Sequence, residues 1–412
     1  ILLVLPLIGF GQGWEQNYDE GNYPPWGGIM GLNSVVEIDD GGYLVTGNNG
    51  DLLILRTDEN GDSIWTKTYF ENDTFQGGGI TGRSIQQTTD GGYIICGNTF
   101  QVIYPPNFEN ILGDNRVYLM KTDENGDSTW TKRFGGMTFV DVGRSVQQTT
   151  DGGYIICGSI GLDDENNNLF LIKTDENGDE DWSQIFGGQD YHSGYSVQQT
   201  LDGGYIITGS INDGGYLLKL DENGDELWYQ TYYCSGRSVQ QTSDGGYILI
   251  GECLIKTDEN GDEMWTNYSY DSVLRGQQTS DGGYIVLGSY STNNKHLIKI
   301  DQNGDEEWFQ DFDQNNVDYW TSGSSVQQTS DGGYIITGSR TIPNSDGFRY
   351  SVLIKTDGQG NVTSTIELPT PTSKRELLKT TNILGQENTI IKNQPLIEIY
   401  DDGTVEKKYL IK

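Results

Sequence analysis

The sequence predicts an all-β fold made of seven similar units, each with four short strands. Three observations support this. The 412-residue chain has 57 Gly, 25 Tyr and 9 Trp but no Ala, so the best helix former is missing while aromatic strand formers abound. A four-strand pattern surrounds each repeat. The tetrapeptide Asp-Gly-Gly-Tyr recurs about every 48 residues, with its Tyr at 43, 93, 154, 205, 247, 284 and 334. This period is typical of a β-propeller with seven blades.

The third repeat illustrates the four strands, named a to d in chain order. Residues 145–149 form strand a, residues 153–158 strand b, residues 169–174 strand c and residues 182–186 strand d. Asp-Gly at the a–b turn and Asn-Gly at the c–d turn supply the residues that tight hairpins need. Each repeat is therefore expected to be one antiparallel blade.

The first strand of the chain is expected to close the ring. The seventh repeat has Ser364 where the other repeats have Trp, and Trp14–Tyr18 carries the missing Trp-x-x-x-aromatic pattern. Closure would remove the exposed edges of an open array. Strand d begins at a tryptophan in the other six repeats, which we interpret as structural wedges between blades: Trp65, Trp130, Trp182, Trp228, Trp265 and Trp308.

Composition changes divide the chain into four parts. Residues 1–11 are apolar and end in small residues, as in part of a secretory signal peptide. Residues 12–368 hold the repeats, and residues 369–374 form a Pro- and Thr-containing linker. Residues 375–412 are expected to form a short C-terminal β tail, with an ordinary β-hairpin appendage as the alternative interpretation.

The repeat Ser-Val-Gln-Gln-Thr-x-Asp-Gly-Gly-Tyr resembles the units of secreted β-propeller proteins of Bacteroidetes-type bacteria. In the tail, Leu384-Gly385-Gln386, a later strand and the basic pair Lys407-Lys408 resemble a sorting signal of the type IX secretion system. These resemblances imply a secreted or cell-surface protein and the type IX secretion machinery as a partner.

Several functions are disfavoured by composition and motifs. The net charge of −35 repels phosphate backbones, which argues against nucleic-acid binding, and no apolar run approaches the ~20 residues of a membrane span. No metal-ligating His pair or Cys-x-x-Cys occurs, so no metal or cofactor is expected. The Asp-Glu-Asn-Gly-Asp segments lack the final Glu of a calcium loop and are interpreted as hairpin turns. No catalytic motif indicates an enzyme.

One face of the propeller is expected to bind a ligand. The a–b and c–d turns hardly vary along the chain, whereas the b–c and d–a connections, which meet on the opposite face, vary in length and carry aromatic residues. We call this second face the variable face. Its candidate ligand-binding residues are Tyr23, Trp26, Tyr104, Phe108, Tyr191, His192, Tyr319 and Trp320.

Four arginines form a second candidate set. Arg83, Arg144, Arg237 and Arg275 precede strand a and are interpreted as occupying one repeat position at the channel mouth. Such a ring would attract carboxylate or sulfate groups. The alternative is that each arginine pairs with an aspartate of a neighbouring blade.

The cysteines fall into two pairs. Cys234 and Cys253 lie in the d–a and b–c connections of the shortest blade, and we predict a disulfide between them. Cys96 and Cys157 occupy equivalent strand-b positions, whose spacing between neighbouring sheets suits small core residues rather than a bridge.

Together these features favour a secreted or surface-displayed binding or adhesion module that recognises carbohydrate or another extracellular polymer. One alternative is a lyase-type enzyme acting on acidic polysaccharide, with Tyr191, His192 or a channel arginine as the reacting group. The other is a structural surface protein without a specific ligand.

The tail interpretation predicts that residues 375–412 direct export without being needed for folding of the repeats. A reporter protein fused to them should reach the surface of a bacterium that has a type IX system. A reporter carrying the same residues in scrambled order is the control. Retention of both fusions in the periplasm contradicts the assignment.

Overall fold

A computed structural model describes most of the repeat region and the strands of the tail. The described residues are 14–18, 31–48, 51–69, 79–100, 102–103, 112–113, 115–138, 141–161, 167–188, 190–269, 272–289, 295–312, 319–341, 349–362, 364–365, 377–382, 395–400 and 405–409. They confirm an all-β propeller with seven four-stranded antiparallel blades. Among them there is no helix long and apolar enough to cross a membrane.

In every blade the strands are hydrogen-bonded in the order a-b-c-d. Strand a covers Gly31–Glu37, Gly79–Gln87, Val142–Gln148, His192–Gln199, Gly236–Gln241, Ser272–Gln278 and Tyr319–Gln328. Strand b covers Tyr43–Asn48, Tyr93–Phe100, Tyr154–Gly161, Tyr205–Ile211, Tyr247–Gly251, Tyr284–Ser289 and Tyr334–Thr341. Strand c covers Leu52–Thr57, Asn115–Thr122, Asn167–Thr174, Gly214–Leu220, Leu254–Thr257, Lys295–Ile300 and Arg349–Thr356. Strand d covers Ser63–Tyr69, Ser128–Thr138, Glu180–Phe186, Glu226–Tyr232, Glu263–Asn267, Glu306–Asp311 and Trp14–Tyr18.

The N-terminal strand closes the ring as predicted. Trp14–Tyr18 pairs antiparallel with strand c of blade 7, in a register that runs from Trp14 opposite Lys355 to Tyr18 opposite Ser351. Ser364–Thr365 adds a short fifth strand beyond it. Ser364 therefore lies outside the closing strand, which explains why this position lacks the tryptophan of the other repeats.

Three features lie outside the repeat pattern. An eighth Asp-Gly-Gly-Tyr, ending at Tyr216, is the b–c hairpin of blade 4 and not the start of another blade. A two-stranded hairpin, Val102–Ile103 with Leu112–Gly113, lies in the b–c connection of blade 2. The tail belongs to a separate compact unit, Thr365–Lys412, in which Leu377–Asn382, Pro395–Tyr400 and Val405–Tyr409 form an antiparallel sheet.

The two glycines of the repeated a–b turn have different physical roles, as blade 2 shows. Gly91 has a φ of +83°, a left-handed conformation that favours glycine. Gly92 lies so close to the carbonyl oxygen of Thr122 that a Cβ atom would overlap it. The carboxylate of Asp90 accepts a hydrogen bond from the Gly92 amide at 3.0 Å. The turn therefore requires glycine at both positions and is stabilised by the Asp90 side chain.

The same aspartate neutralises a buried cation of strand c. In blade 2 the Lys121 Nζ atom lies 2.8 Å from the Asp90 carboxylate and donates to the Thr122 carbonyl at 2.9 Å. A buried ammonium is tolerated because these partners compensate its lost hydration. The seven pairs are Arg56–Asp40, Lys121–Asp90, Lys173–Asp151, Lys219–Asp202, Lys256–Asp244, Lys299–Asp281 and Lys355–Asp331.

The hydrophobic core is divided among the seven interfaces between blades, each of which holds its own cluster of buried side chains. At the first interface, Trp65 of blade 1 lies 6.4 Å from the Tyr93 ring of blade 2 and so close to Gly126 that a Cβ atom there would overlap the indole ring. Equivalent contacts at 5.8–6.0 Å are Trp130–Tyr154, Trp182–Tyr205, Trp228–Tyr247, Trp265–Tyr284 and Trp308–Tyr334. These contacts support the wedge interpretation.

A ring of side-chain bonds joins the blades around the central channel. The Oε1 atom of Gln148 in blade 3 accepts a hydrogen bond from the backbone amide of Thr89 in the a–b turn of blade 2 at 2.9 Å. The same bond recurs at every interface, and Glu37 takes the place of glutamine where blade 1 meets blade 7. The other six are Gln87–Asp39, Gln199–Thr150, Gln241–Leu201, Gln278–Ser243, Gln328–Ser280 and Glu37–Ser330.

The Asp90–Lys121 pair predicts a specific acid sensitivity. Burial raises the pKa of the Asp90 carboxyl, but hydrogen bonds from Lys121 and Thr88 outweigh burial and hold the pKa at about 2. Because the unfolded carboxyl titrates near pH ~3.9, the ionised pair stabilises the fold above that pH, and this contribution is lost as the pH falls towards 2.

We therefore expect Asp90→Asn to lower the free energy of unfolding at pH 7 by about 1–2 kcal/mol, since the aspartate is largely exposed and only the lysine is buried. In urea unfolding the difference from the wild type should shrink at pH 2.5. Asp62→Asn, at an exposed aspartate of a c–d turn, is the control. An equal loss at both pH values contradicts the pairing.

Candidate functional site: an arginine cavity in the central channel

A β-bulge in strand a of every blade positions the residues of the candidate site. In each blade the pairing of strand a with strand b skips one residue at a shared repeat position, and a bulge of this kind re-aims a side chain. At this position the skipped residues are Asn33, Arg83, Arg144, Tyr195, Arg237, Leu274 and Ser324, and blade 7 has a second register shift at Thr321.

This register corrects two details of the sequence interpretation. The four arginines lie inside strand a and not before it. Arg275 also lies one residue beyond the shared repeat position, because Leu274 is the skipped residue of blade 6 and Arg275 pairs with Leu287. The repeat position therefore accounts for three of the four arginines.

The structure nevertheless brings all four arginines to one cavity of about 250 Å³ inside the channel. We call it the arginine cavity. Its described lining residues come from six of the seven blades, and no acidic side chain is among them. They are Asn33, Arg83, Arg144, Arg237, Arg275, Gly323 and Ser324.

Tyr195, which the sequence analysis did not single out, organises two of these arginines. The guanidinium carbon of Arg144 lies 4.8 Å from the centre of the Tyr195 ring, and that of Arg237 lies 4.6 Å from it. Both contacts are cation–π interactions, which hold the planar cations against the ring. Aligning the repeats on their Asp-Gly-Gly-Tyr tyrosines would have revealed Tyr195, because it occupies the arginine position in blade 4.

The arginines have few other partners. Arg83 donates from Nε to the Asn98 side-chain oxygen at 3.1 Å, and Arg275 donates to the Arg237 carbonyl at 2.9 Å. The Nε atom of Arg144 is buried without a hydrogen-bond partner. None of Arg83, Arg144 and Arg237 forms an ion pair with a carboxylate among the described residues, so the structure does not support the expected inter-blade aspartate pairs for these three.

The electrostatic consequence is a concentrated positive charge. Burial and then the charge of Arg237 lower the pKa of Arg275 to about 10, and burial together with Arg144 lowers the pKa of Arg83. The arginines repel one another, and a bound anion would relieve this repulsion.

None of the predicted aromatic candidates whose side chains the structure describes lines this cavity, and the others lie outside the described residues or side chains. Tyr23, Trp26, Tyr104 and Phe108 lie outside the described residues. Tyr319 and Trp320 are described only by their backbone, which lies in strand a of blade 7.

Tyr191 and His192 lie on the variable face, beside the b–c hairpin of blade 4. The Tyr191 hydroxyl accepts a hydrogen bond from Asn167 at 2.5 Å, and 42% of Tyr191 is exposed. The His192 ring lies 6.2 Å from that of Tyr216, and its Nδ1 atom is 3.2 Å from the Asp190 carbonyl. Neither residue lines the arginine cavity, so the structure does not bring them together with the arginines.

The acidic c–d turns use their first aspartate to hold the turn. In blade 1 the Oδ1 atom of Asp58 accepts hydrogen bonds from the amides of Asn60 and Asp62 at 2.9 Å each. Within the described part of the chain, no group of three His, Cys, Asp or Glu side chains is arranged to hold a metal ion.

The two cysteine pairs differ in the structure. Cys234 and Cys253 are joined by a disulfide with a Cα–Cα distance of 5.9 Å. Cys96 and Cys157 are buried free thiols, whose pKa is raised by burial.

Comparison with known proteins supports the fold. Virginiamycin B lyase from Staphylococcus aureus matches with a TM-score of 0.52 and 9% identity, covering 83% of this chain and 98% of that one. The WD40 domain of Pan2 from Neurospora crassa matches with a TM-score of 0.52 and 12% identity, covering 86% and 97%. A Bacteroides caccae protein of unknown function has a TM-score of 0.42 and 12% identity, covering 69% and 95%.

At these identities the likeness to the first two structures extends to the propeller fold alone, and the third, with a TM-score below 0.5, adds no support. No protein-family model matches the chain, and no curated protein matches it.

The disulfide predicts the thiol content of the protein. Titration of the denatured, unreduced chain should detect the two thiols of Cys96 and Cys157, and titration after reduction should detect four. A Cys234→Ser/Cys253→Ser variant, which has two thiols under both conditions, is the control. Four thiols in the unreduced wild type contradict the bond.

Proposed function

We propose that the protein is an exported binding module whose arginine cavity captures a carboxylate or sulfate group of an extracellular carbohydrate or similar polymer. The observation that carries the proposal is the presence of Arg83, Arg144 and Arg237 around one cavity without a described carboxylate partner, in a chain with a net charge of −35. Export is supported by the apolar N-terminal stretch and the tail pattern.

The same protein provides an internal comparison for structural cations. Every described blade pairs its strand-c cation with the aspartate of the a–b turn, as Lys173 does with Asp151 at 2.8 Å. Buried cations with a purely structural role are thus neutralised here. Arg83, Arg144 and Arg237 differ because no described carboxylate pairs with them. Other arginines or Tyr195 lie beside them, which favours a ligand as their counter-charge.

The distribution of acidic residues sets the direction of approach. The exposed aspartates and glutamates of the c–d turns lie at the end of the blades where strands a and b also turn, as the pairing of Gln87, Tyr93 and Thr122 shows. This end repels anions. Ligand entry from the variable face is therefore favoured, and the local positive potential would concentrate anions at the cavity.

The cavity size limits what can enter. At about 250 Å³ it falls below the usual range of sites for drug-sized ligands, ~300–1,000 Å³. It fits one charged group at a chain end and not a length of polymer. Planar guanidinium groups suit bidentate contacts with such a group.

The proposal predicts that Arg144→Gln/Arg237→Gln weakens binding to polygalacturonate or to a sulfated glycan by at least tenfold and flattens its salt dependence. The melting temperature should change little, since relief of arginine repulsion offsets the lost contacts with Tyr195. Titration calorimetry at two salt concentrations and thermal unfolding measure both effects.

Lys67→Gln/Lys132→Gln is the matched control, because it removes the same charge from partly exposed lysines that pair with Asp127 and Asp179 outside the cavity. If the wild type binds none of these polyanions, the proposed function fails. If the arginine variant loses stability but binds normally, the arginines stabilise the contacts between blades and do not bind the ligand.

A further inference from the structure

A second cavity continues the channel towards the a–b turns. It has a volume of about 320 Å³ and shares Arg275 with the arginine cavity. Its wall alternates apolar and amide side chains of strand a, including Val146 beside Gln147 and Val197 beside Gln198. We call it the glutamine cavity. No acidic side chain is among its described lining residues.

Backbone hydrogen bonds fix the orientation of these glutamines. The Oε1 atom of Gln147 accepts from the Gln199 amide at 2.6 Å, and that of Gln198 accepts from the Gln241 amide at 2.6 Å. A backbone amide can only donate, so the oxygen of each carboxamide must face the neighbouring blade. The two Nε2 groups keep their donor hydrogens and have no acceptor among the described residues.

The two cavities thus present two kinds of hydrogen-bond donor along one channel. Guanidinium groups provide charged donors at one end, and carboxamide NH₂ groups provide neutral donors at the other. Val146 and Val197 also line the cavity, although their side chains are largely buried between the blades. An acceptor-rich ligand with one negative group and several neutral oxygens matches this sequence of groups.

We propose that the two cavities form a single site for the terminal uronic acid of an acidic saccharide. The carboxylate lies among the arginines, and hydroxyl oxygens accept hydrogen bonds from Gln147 and Gln198. This inference rests on the proposed function, because it requires the arginine cavity to bind the anionic group. It adds a specific ligand class, because a simple carboxylate or sulfate would contact the arginines but not the glutamines.

The test compares galacturonic acid, acetate and galactose by titration calorimetry on the full chain. The wild type should bind galacturonic acid at least tenfold more tightly than acetate and should bind galactose weakly or not at all. Gln147→Met/Gln198→Met should weaken binding of galacturonic acid about tenfold and leave acetate binding unchanged, because it removes the neutral donors and leaves the arginines in place.

Gln148→Met/Gln199→Met is the matched control. It also removes two bonds between blades, together with the bonds that these glutamines donate to the Gly152 and Gly203 carbonyls, so it disturbs the blades at least as much. These glutamines line neither cavity. If the first variant fails to fold, Gln147→Glu replaces it, since a carboxylate still accepts from the Gln199 amide. Relative to the wild type, the Gln147→Glu variant should then lose more affinity for galacturonic acid than for acetate.

The outcomes separate the two proposals. If no anion binds, the proposed function fails and this inference fails with it. If acetate binds as tightly as galacturonic acid, or if both glutamine variants weaken galacturonic acid equally, the joint site is overturned while the arginine site stands.

Discussion

The hydrogen bond between a strand-a glutamine and the backbone of the adjacent blade is the constraint on which the channel depends. It recurs at all seven interfaces, with Glu37 in the place of one glutamine. Each bond satisfies a turn amide and fixes the distance between neighbouring inner strands. Because Trp14–Tyr18 pairs with strand c of blade 7, that strand is not left as an edge, and the blade has the same four strands as the others. The bulge residues Arg83, Arg144 and Arg237 consequently line a cavity whose surrounding strands are fixed.

The protein places its cations in two contrasting environments. Strand-c cations such as Lys121 are buried beside an aspartate of the same blade, and these pairs stabilise the blade. Bulge arginines such as Arg144 face a cavity that has no acidic side chain among its described lining residues, and their mutual repulsion opposes folding. The chain has 60 acidic residues, but none of the described ones lines this cavity. This separation of charge is the strongest argument for an anionic ligand.

Much of the candidate site could be predicted because the same sequence unit recurs in every blade. The predictions were wrong or incomplete where a blade departs from that unit. Arg83, Arg144 and Arg237 recur at one position and were recognised as a ring. Arg275 was assigned to the same position, although a one-residue difference in blade 6 moves it to the paired residue after the bulge. Tyr195 was missed because it replaces an arginine and therefore breaks the pattern. The aspartate–lysine pairs were also missed, since sequence spacing does not reveal that a turn carboxylate reaches the lysine of strand c.

The sequence by itself determined the number of blades, the strand order and the closing role of Trp14–Tyr18. These follow from local rules: glycine at positive φ in the turns, alternating burial along strands and one aromatic wedge per repeat. Only the tertiary structure decided that the arginines share a cavity, that Arg144 and Arg237 contact Tyr195, and that glutamine amides continue the donor surface. The physical reason is that a bulge and a closed ring bring together side chains from strands ~50 residues apart, which no local pattern encodes.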